Sequence, residues 1–213
     1  LIVLENTETK KPVDDILFDK TAENQKFFEA MKPVYEDILQ SEGNEILATL
    51  GMDFDFNLLD PMVTNWVAEK EFKFADTVNS TTQRQLRAAL VDGIREGENI
   101  ESLRKRVQGV FDGTVRTTAH RSRMIARTEV IGSFNYSSLQ SYKQSGVVDD
   151  KKWFTALDER VRDSHQQAHG QIRRVDEPFD IGGYPLMYPG DGDGGTASEV
   201  INCRCTILPI LGE

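Results

Sequence analysis

The side chains best suited to chemistry crowd into the last third of this chain. Of its three histidines, His165 and His169 stand four residues apart, and its two cysteines, Cys203 and Cys205, stand two apart. On a short helix capped by Asp163 or Ser164 and ended by Gly170, positions i and i+4 share a face, so both imidazoles point the same way. On an extended strand from Ile201 to Leu208, Cys203 and Cys205 share one face while Asn202 and Arg204 take the other. Helix and strand together would offer two nitrogens and two sulfurs, a tetrahedral set suited to structural zinc with no position left for a substrate. The plainer reading of the same residues is two small buried hydrophobes and a satisfied core histidine. A Cys203 to Cys205 disulfide would distort an extended backbone, so without metal the thiols are expected to be reduced.

A second chemistry is available to His165. With Arg160, Arg162 and Glu129 it has the ingredients of metal-free RNA cleavage, in which histidine moves protons and arginine steadies the phosphorane. The Arg, Thr and Glu at 127 to 129 also resemble a set found in ADP-ribose transferases. No independent motif accompanies either idea, and no catalytic-looking histidine lies outside the metal pair. An enzyme is therefore the alternative reading, and site chemistry would have to be shown rather than borrowed from shape.

Charge divides the chain. Residues 1 to 80 hold 17 acids against 7 Lys and Arg, which accounts for the whole net charge of −10 and leaves the remainder neutral. Within that neutral part Arg104, Lys105, Arg106, Arg116, Arg121, Arg123 and Arg127 form a basic run broken by one acid, Asp112. Such a run suits phosphates or an acidic protein surface, although most charged helix faces are simply solvated. With 38% hydrophobic residues the chain can build a real core of one or two domains. No apolar run approaches a membrane span, no secretory leader is apparent, and the cysteine usage suits a reducing compartment. The start at Leu1 suggests a processed product, a fusion segment or part of a longer chain.

The elements that must position the candidate residues follow from periodicity. Residues 1–20 read as a tail or linker. An acidic helical segment follows over 21–79, with Phe27, Met31, Val34 and Ile38 as an apolar stripe bent at Pro33 and a short helical turn at 44–50. Asp60 and Pro61 form an N-cap and first-turn pair for a helix through Val63, Trp66 and Val67. Over 80–146, helices are expected at 81–95 and 99–111, then a longer one from about Thr117 to Ser145 with Ile125, Thr128, Ile131, Asn135, Leu139 and Tyr142 on one side. Gly146 is its stop. Over 147–213 the pattern changes to short strands at 152–157, 172–175 and 205–210, separated by a Gly, Pro and Asp loop from Phe179 to Thr196. That loop lacks the later ligands and closing Glu of an EF-hand, so calcium is not expected. The fold class is α+β: a mostly helical N-terminal two-thirds followed by a small mixed C-terminal module.

The order of certain residues carries a resemblance. Ala-Arg-Thr-Glu at 126 to 129, Asn135, Trp153, Asp158-x-Arg160-x-Arg162-x-x-His165, Gly170, Tyr188-Pro189 and Ile201-Asn202-Cys203-Arg204-Cys205 together resemble the phage Mu F-like head morphogenesis family of minor head proteins. The likeness covers about residues 80 to 210 and departs from the family pattern in the long Gly-Asp stretch between Pro189 and Asn202. It implies a minor capsid protein of a tailed phage, acting in head assembly or genome packaging and delivery, lying in the virion near the portal vertex after assembly in the host cytoplasm, with the portal or major capsid protein as partner; DNA contact is an expectation of the basic run alone. Structural roles are expected for Arg127, Glu129 and Asp158, with Asp158 to Arg162 or Glu129 to Arg160 ion pairs locking helix to sheet. Trp153 would be the apolar anchor beneath them, and Asn202 would satisfy backbone groups in the last turn.

Overall fold

A computed structural model describes residues 20–70 and 114–212, with scattered positions between 73 and 109. The chain divides into two compact units, Leu1–Met31 with Ala68–Val115 and Lys32–Val67 with Arg116–Glu213. In the first, every described position is helical except a turn at Glu96. The expected tail over residues 1–19, the stripes of the expected helices at 81–95 and 99–111, and the side chains of Arg104, Arg106, Arg116, Arg121 and Arg123 lie outside the described residues. Lys105 is described as an exposed helical position.

The second unit carries the site. Helix α1, Lys20–Thr49, runs unbroken through Pro33 and through the stretch expected to form a separate turn. Its buried stripe also differs from the expected one: Tyr35, Leu39, Gly43 and Leu47 recur every fourth residue, whereas Val34 is exposed. Close approach selects this stripe. A Cβ on Gly43 would meet the Phe56 ring at 2.4 Å, and Ser137 and Ser141 donate across to the carbonyls of Leu39 and Gly43 at 2.9 and 3.4 Å. Helix α2 occupies residues 61–70. Asp60 Oδ1 accepts the Met62 N–H at 2.7 Å, the cap that the Asp-Pro pair predicts, and Val63 and Val67 turn inward.

Helix α3, Thr114–Ser145, is the hub of this unit. Every residue from Asn135 to Tyr142 is buried, so this stretch has no solvent face. It meets α1 through Ser137 and Ser141, α2 through Tyr136, whose hydroxyl donates to the Met62 carbonyl at 2.8 Å, and the C-terminal strands through Asn135 and Tyr142. Small hydroxyl residues fit such a crowded position. Ser133 and Ser138 donate to carbonyls one turn back and Ser141 shares its proton between the Ser137 and Gly43 carbonyls, so no buried hydroxyl among the described residues wants a partner. An aromatic group adds to the packing: Trp66 stacks on Tyr136 at 4.2 Å and donates its N–H to the Tyr188 hydroxyl at 2.9 Å.

After Gly146, which takes the left-handed φ of 68° that ends a helix, the chain enters β1, Val148–Phe154. This strand is the centre of an antiparallel sheet ordered β2, β1, β5, with β2 at Ile172–Arg174 and β5 at Thr206–Leu211. A register irregularity between Val148 and Asp150 shifts the inward positions to Lys151 and Trp153. The short helix α4, Asp163–Ala168, lies between β1 and β2 in sequence. Within the stretch expected to be loop, Phe179–Ile181 (β3) and Tyr184–Leu186 (β4) form a hairpin that buries Phe179, Ile181 and Leu186. The sequence predicts β2 at 172–175 but reads as loop through this Gly, Pro and Asp stretch, whose two three-residue strands it does not mark. The turn α5, Ala197–Val200, leads into the cysteine segment. The architecture is thus α+β, as expected.

Candidate metal centre

The site begins with Trp153, fully buried on β1 and edge-on to both His165 at 5.5 Å and Phe179 at 5.3 Å. The turn after α4 is tied to the same strand residue: Gly170 N–H donates to the Trp153 carbonyl, and Trp153 N–H to the Gln171 carbonyl, both at 2.9 Å. Gly170 has a φ of 81°, which explains a glycine at this signature position. Helix α4 is thereby set with His165 facing inward.

Three of the four expected donors converge. His165 Nδ1 lies 3.3 Å from Cys205 Sγ and 3.6 Å from Cys203 Sγ, and all three side chains are buried. The two sulfurs and the imidazole nitrogen lie within 4.8 Å of one another, the one such donor group among the described residues. The cysteines precede β5 rather than lying on it, and both thiols are free. His169 is not brought to this group. Helix α4 ends at Ala168, and at His169 the backbone turns to ψ 126°, so the i and i+4 face expected of the two histidines does not exist. His169 Nδ1 instead accepts the Thr155 N–H at 3.2 Å and lies 3.1 Å from the Thr155 hydroxyl.

Electrostatics favour one negative charge on the sulfur pair. The hydrogen bond from Cys205, with His165 beside it, lowers the Cys203 thiol from its ordinary value. Giving that proton and being buried push the Cys205 thiol up. The Trp153 indole N–H is buried without a hydrogen-bond partner among the described residues and acts on Cys205 in favour of its thiolate. Thiolate sulfurs with an imidazole nitrogen are the donor types that zinc takes.

Behind the imidazole stands a carboxylate that the sequence reading passed over. Glu199 Oε2 lies 3.0 Å from His165 Nε2, near enough for attraction though off the line of the ring N–H, and it accepts the Ser164 hydroxyl proton at 2.7 Å. Arg162 donates to the backbone carbonyls of Glu199 and Ile201. Helix α5 is only four residues long, so no periodicity marked Glu199 as inward-facing.

The remaining signature residues bind elements together. Arg127 donates to Asn202 Oδ1 at 3.0 Å, and the Asn202 N–H donates to Thr128 Oγ1 at 2.9 Å, which holds Asn202 at a left-handed φ of 63°. Asp158 pairs through both oxygens with Arg204, which holds its carboxyl down to about 2, and also accepts the Arg160 N–H. Glu129 accepts the Tyr35 hydroxyl proton at 2.9 Å. The two ion pairs expected from sequence are therefore not the ones formed: Asp158 joins Arg204, Glu129 joins a tyrosine, and Arg162 joins carbonyls. In the Gly-Asp loop, buried Asp191 accepts the N–H groups of Met187, Asp193 and Gly194, so it shapes the turn.

The family described as Phage Mu protein F like protein matches residues 84–208, more than half of the chain, and the chain belongs to that family. It is similar to the uncharacterised protein YqbB of Bacillus subtilis, 25% identical over 92% of this chain and 64% of that protein. It is also similar to the NAD(+)--arginine ADP-ribosyltransferase EFV of Enterococcus faecalis, 26% identical over 75% of this chain and 31% of that protein. The minor head protein GP7 of Bacillus phage SPP1 is 27% identical over 58% of this chain and 39% of its own length. The chain thus spans less than two thirds of each of these relatives. No solved structure matches it.

Proposed function

We propose that this chain is a minor head protein of a tailed phage, carried in the virion near the portal vertex and acting in head assembly or genome delivery. The observation that carries this reading is the use of the family's signature residues. Arg127, Asn135, Asp158, Arg162, Asn202 and Arg204 all turn to partners elsewhere in the chain, as a rigid structural plug requires. The likeness to a minor head protein supports the same reading. Its partners are the portal and major capsid proteins, with the basic run from Arg104 to Arg127 available for DNA or an acidic capsid surface. No described helix is long and apolar enough to cross a membrane. Quantitative mass spectrometry of purified heads tests the proposal. A few copies per head, lost from heads assembled without portal, are expected; absence from normal heads would overturn it.

The cofactor in this reading is one zinc ion at His165, Cys203 and Cys205, pinning α4 to the segment before β5. Burial of all three donors keeps substrate away and gives the ion a stabilising task. Native mass spectrometry before and after a strong chelator should show one zinc lost together with thermal stability. An apo mass with unchanged melting would remove the zinc.

A second reading rests on the likeness to an arginine ADP-ribosyltransferase. It would use His165 with Arg160, Arg162 and Glu129, residues that the fold sends to separate partners, with His165 buried and Arg160 exposed. Transfer of label from NAD to an arginine acceptor, abolished by Glu129→Gln, would favour it over the structural reading.

A further inference from the structure

His165 turns Nδ1 toward both sulfurs, which leaves Nε2 as its outer nitrogen, and Glu199 waits there at 3.0 Å. The carboxylate is held before any ligand arrives. Ser164 donates to the same oxygen at 2.7 Å, and Arg162 fixes the backbone on either side through the Glu199 and Ile201 carbonyls. His165 is 2% and Glu199 12% exposed, so water screens their attraction weakly. Ser164 adjoins His165 in α4, and Glu199 stands four residues before Cys203. Four side chains from two chain segments therefore form one unit around the imidazole.

We propose that Glu199 is the positioning residue for the metal ion held by His165 Nδ1, Cys203 Sγ and Cys205 Sγ. The carboxylate's charge, 3.0 Å from Nε2 though off the line of its N–H, favours the tautomer with the ring proton on Nε2, so that Nδ1 presents its lone pair toward the sulfurs, and the same charge strengthens that nitrogen as a donor. Ser164 shares the oxygen and orients it, and Trp153 closes the ring edge. The assignment rests on the zinc reading above and extends it to residues beyond the donors.

The test compares wild type with Glu199→Gln, Glu199→Ala and Ser164→Ala in the full chain. Glutamine retains an oxygen that accepts from Ser164 beside Nε2 but carries no charge, whereas alanine removes both oxygen and charge. Competition with a chromophoric chelator should give zinc affinity about 10 to 100 times weaker for Glu199→Ala, with Glu199→Gln between it and wild type. With cobalt in place of zinc, the ligand-field bands should shift in Glu199→Ala while thiolate charge-transfer intensity persists, because both sulfurs remain. A carboxylate that only pins α4 to α5 would instead make Ser164→Ala lose as much affinity as Glu199→Gln and leave the cobalt bands in place, which overturns the proposal. Equal zinc affinity in all four proteins also overturns it, with the zinc itself intact. A wild type that takes up no zinc fails the earlier reading instead.

Discussion

Asn135, at the centre of α3, hydrogen-bonds the backbone of the cysteine segment twice: its amide donates to the Cys205 carbonyl at 3.1 Å, and its oxygen accepts the Ile207 N–H at 3.2 Å. Helix and strand are joined as if by one rung of a sheet. Because Asn135 is fully buried, Asn135→Ala leaves both backbone groups without partner or water. The expected loss is about 2 to 6 kcal/mol, from about one to three for each of the two orphaned groups. Urea denaturation measures it, and a loss below 1 kcal/mol would mean that water replaces the amide.

Gly190 has a φ of 90°, and a Cβ there would stand 2.7 Å from the Gly132 Cα. That Cα and the Gly132 nitrogen, 3.1 Å from the same Cβ, are both backbone, so neither moves aside cheaply. Gly190→Ala should lower stability by about 2 kcal/mol or more, combining left-handed strain with overpacking against α3. Thermal melting of the variant beside wild type decides this, and an unchanged midpoint would show that the loop shifts freely.

Lys151 lies wholly inside the module, donating to the Val175 carbonyl at 3.1 Å and the Met187 carbonyl at 2.9 Å with the Phe179 ring 5.1 Å away. Burial, with Lys143 adding repulsion, brings its amine down to about 8 from 10.5. Between those values the unfolded chain binds the proton more readily than the folded one. This residue therefore lends more stability as pH rises from 8 to 10.5, up to a ceiling of about 3 kcal/mol. The stability difference between wild type and Lys151→Met, followed by urea denaturation from pH 7 to 10, should move in favour of wild type. A flat difference would show that Lys151 keeps an ordinary affinity for its proton.

Asp158 behaves oppositely. Paired with Arg204, its carboxyl sits near 2 rather than 3.8, so its contribution is complete above pH 4 and is lost as pH falls toward 2. The pair is largely solvated, and the effect should be modest and weakened by salt. Arg204→Gln should flatten the acid limb of the stability curve by this one group. An identical acid limb in the variant would count against the pair.

Part of the local chemistry written in the chain survived. The Asp60 and Pro61 start of α2, the span of α3 with Thr128, Asn135, Leu139 and Tyr142 turned inward, and the stop at Gly146 were all legible, because caps and helical periods depend on neighbours within a turn or two. The rarity and spacing of His165, Cys203 and Cys205 likewise marked the donor group. Tertiary structure decided the rest. Helix α4 stops one residue too soon for His169 to join, since the following turn is bonded to β1. Asp158 chose Arg204, and Glu199 came to His165, across 46 and 34 residues of chain. Contacts of that separation are fixed by how α3, the sheet and the three-residue strands of the hairpin pack together, and no local period records them.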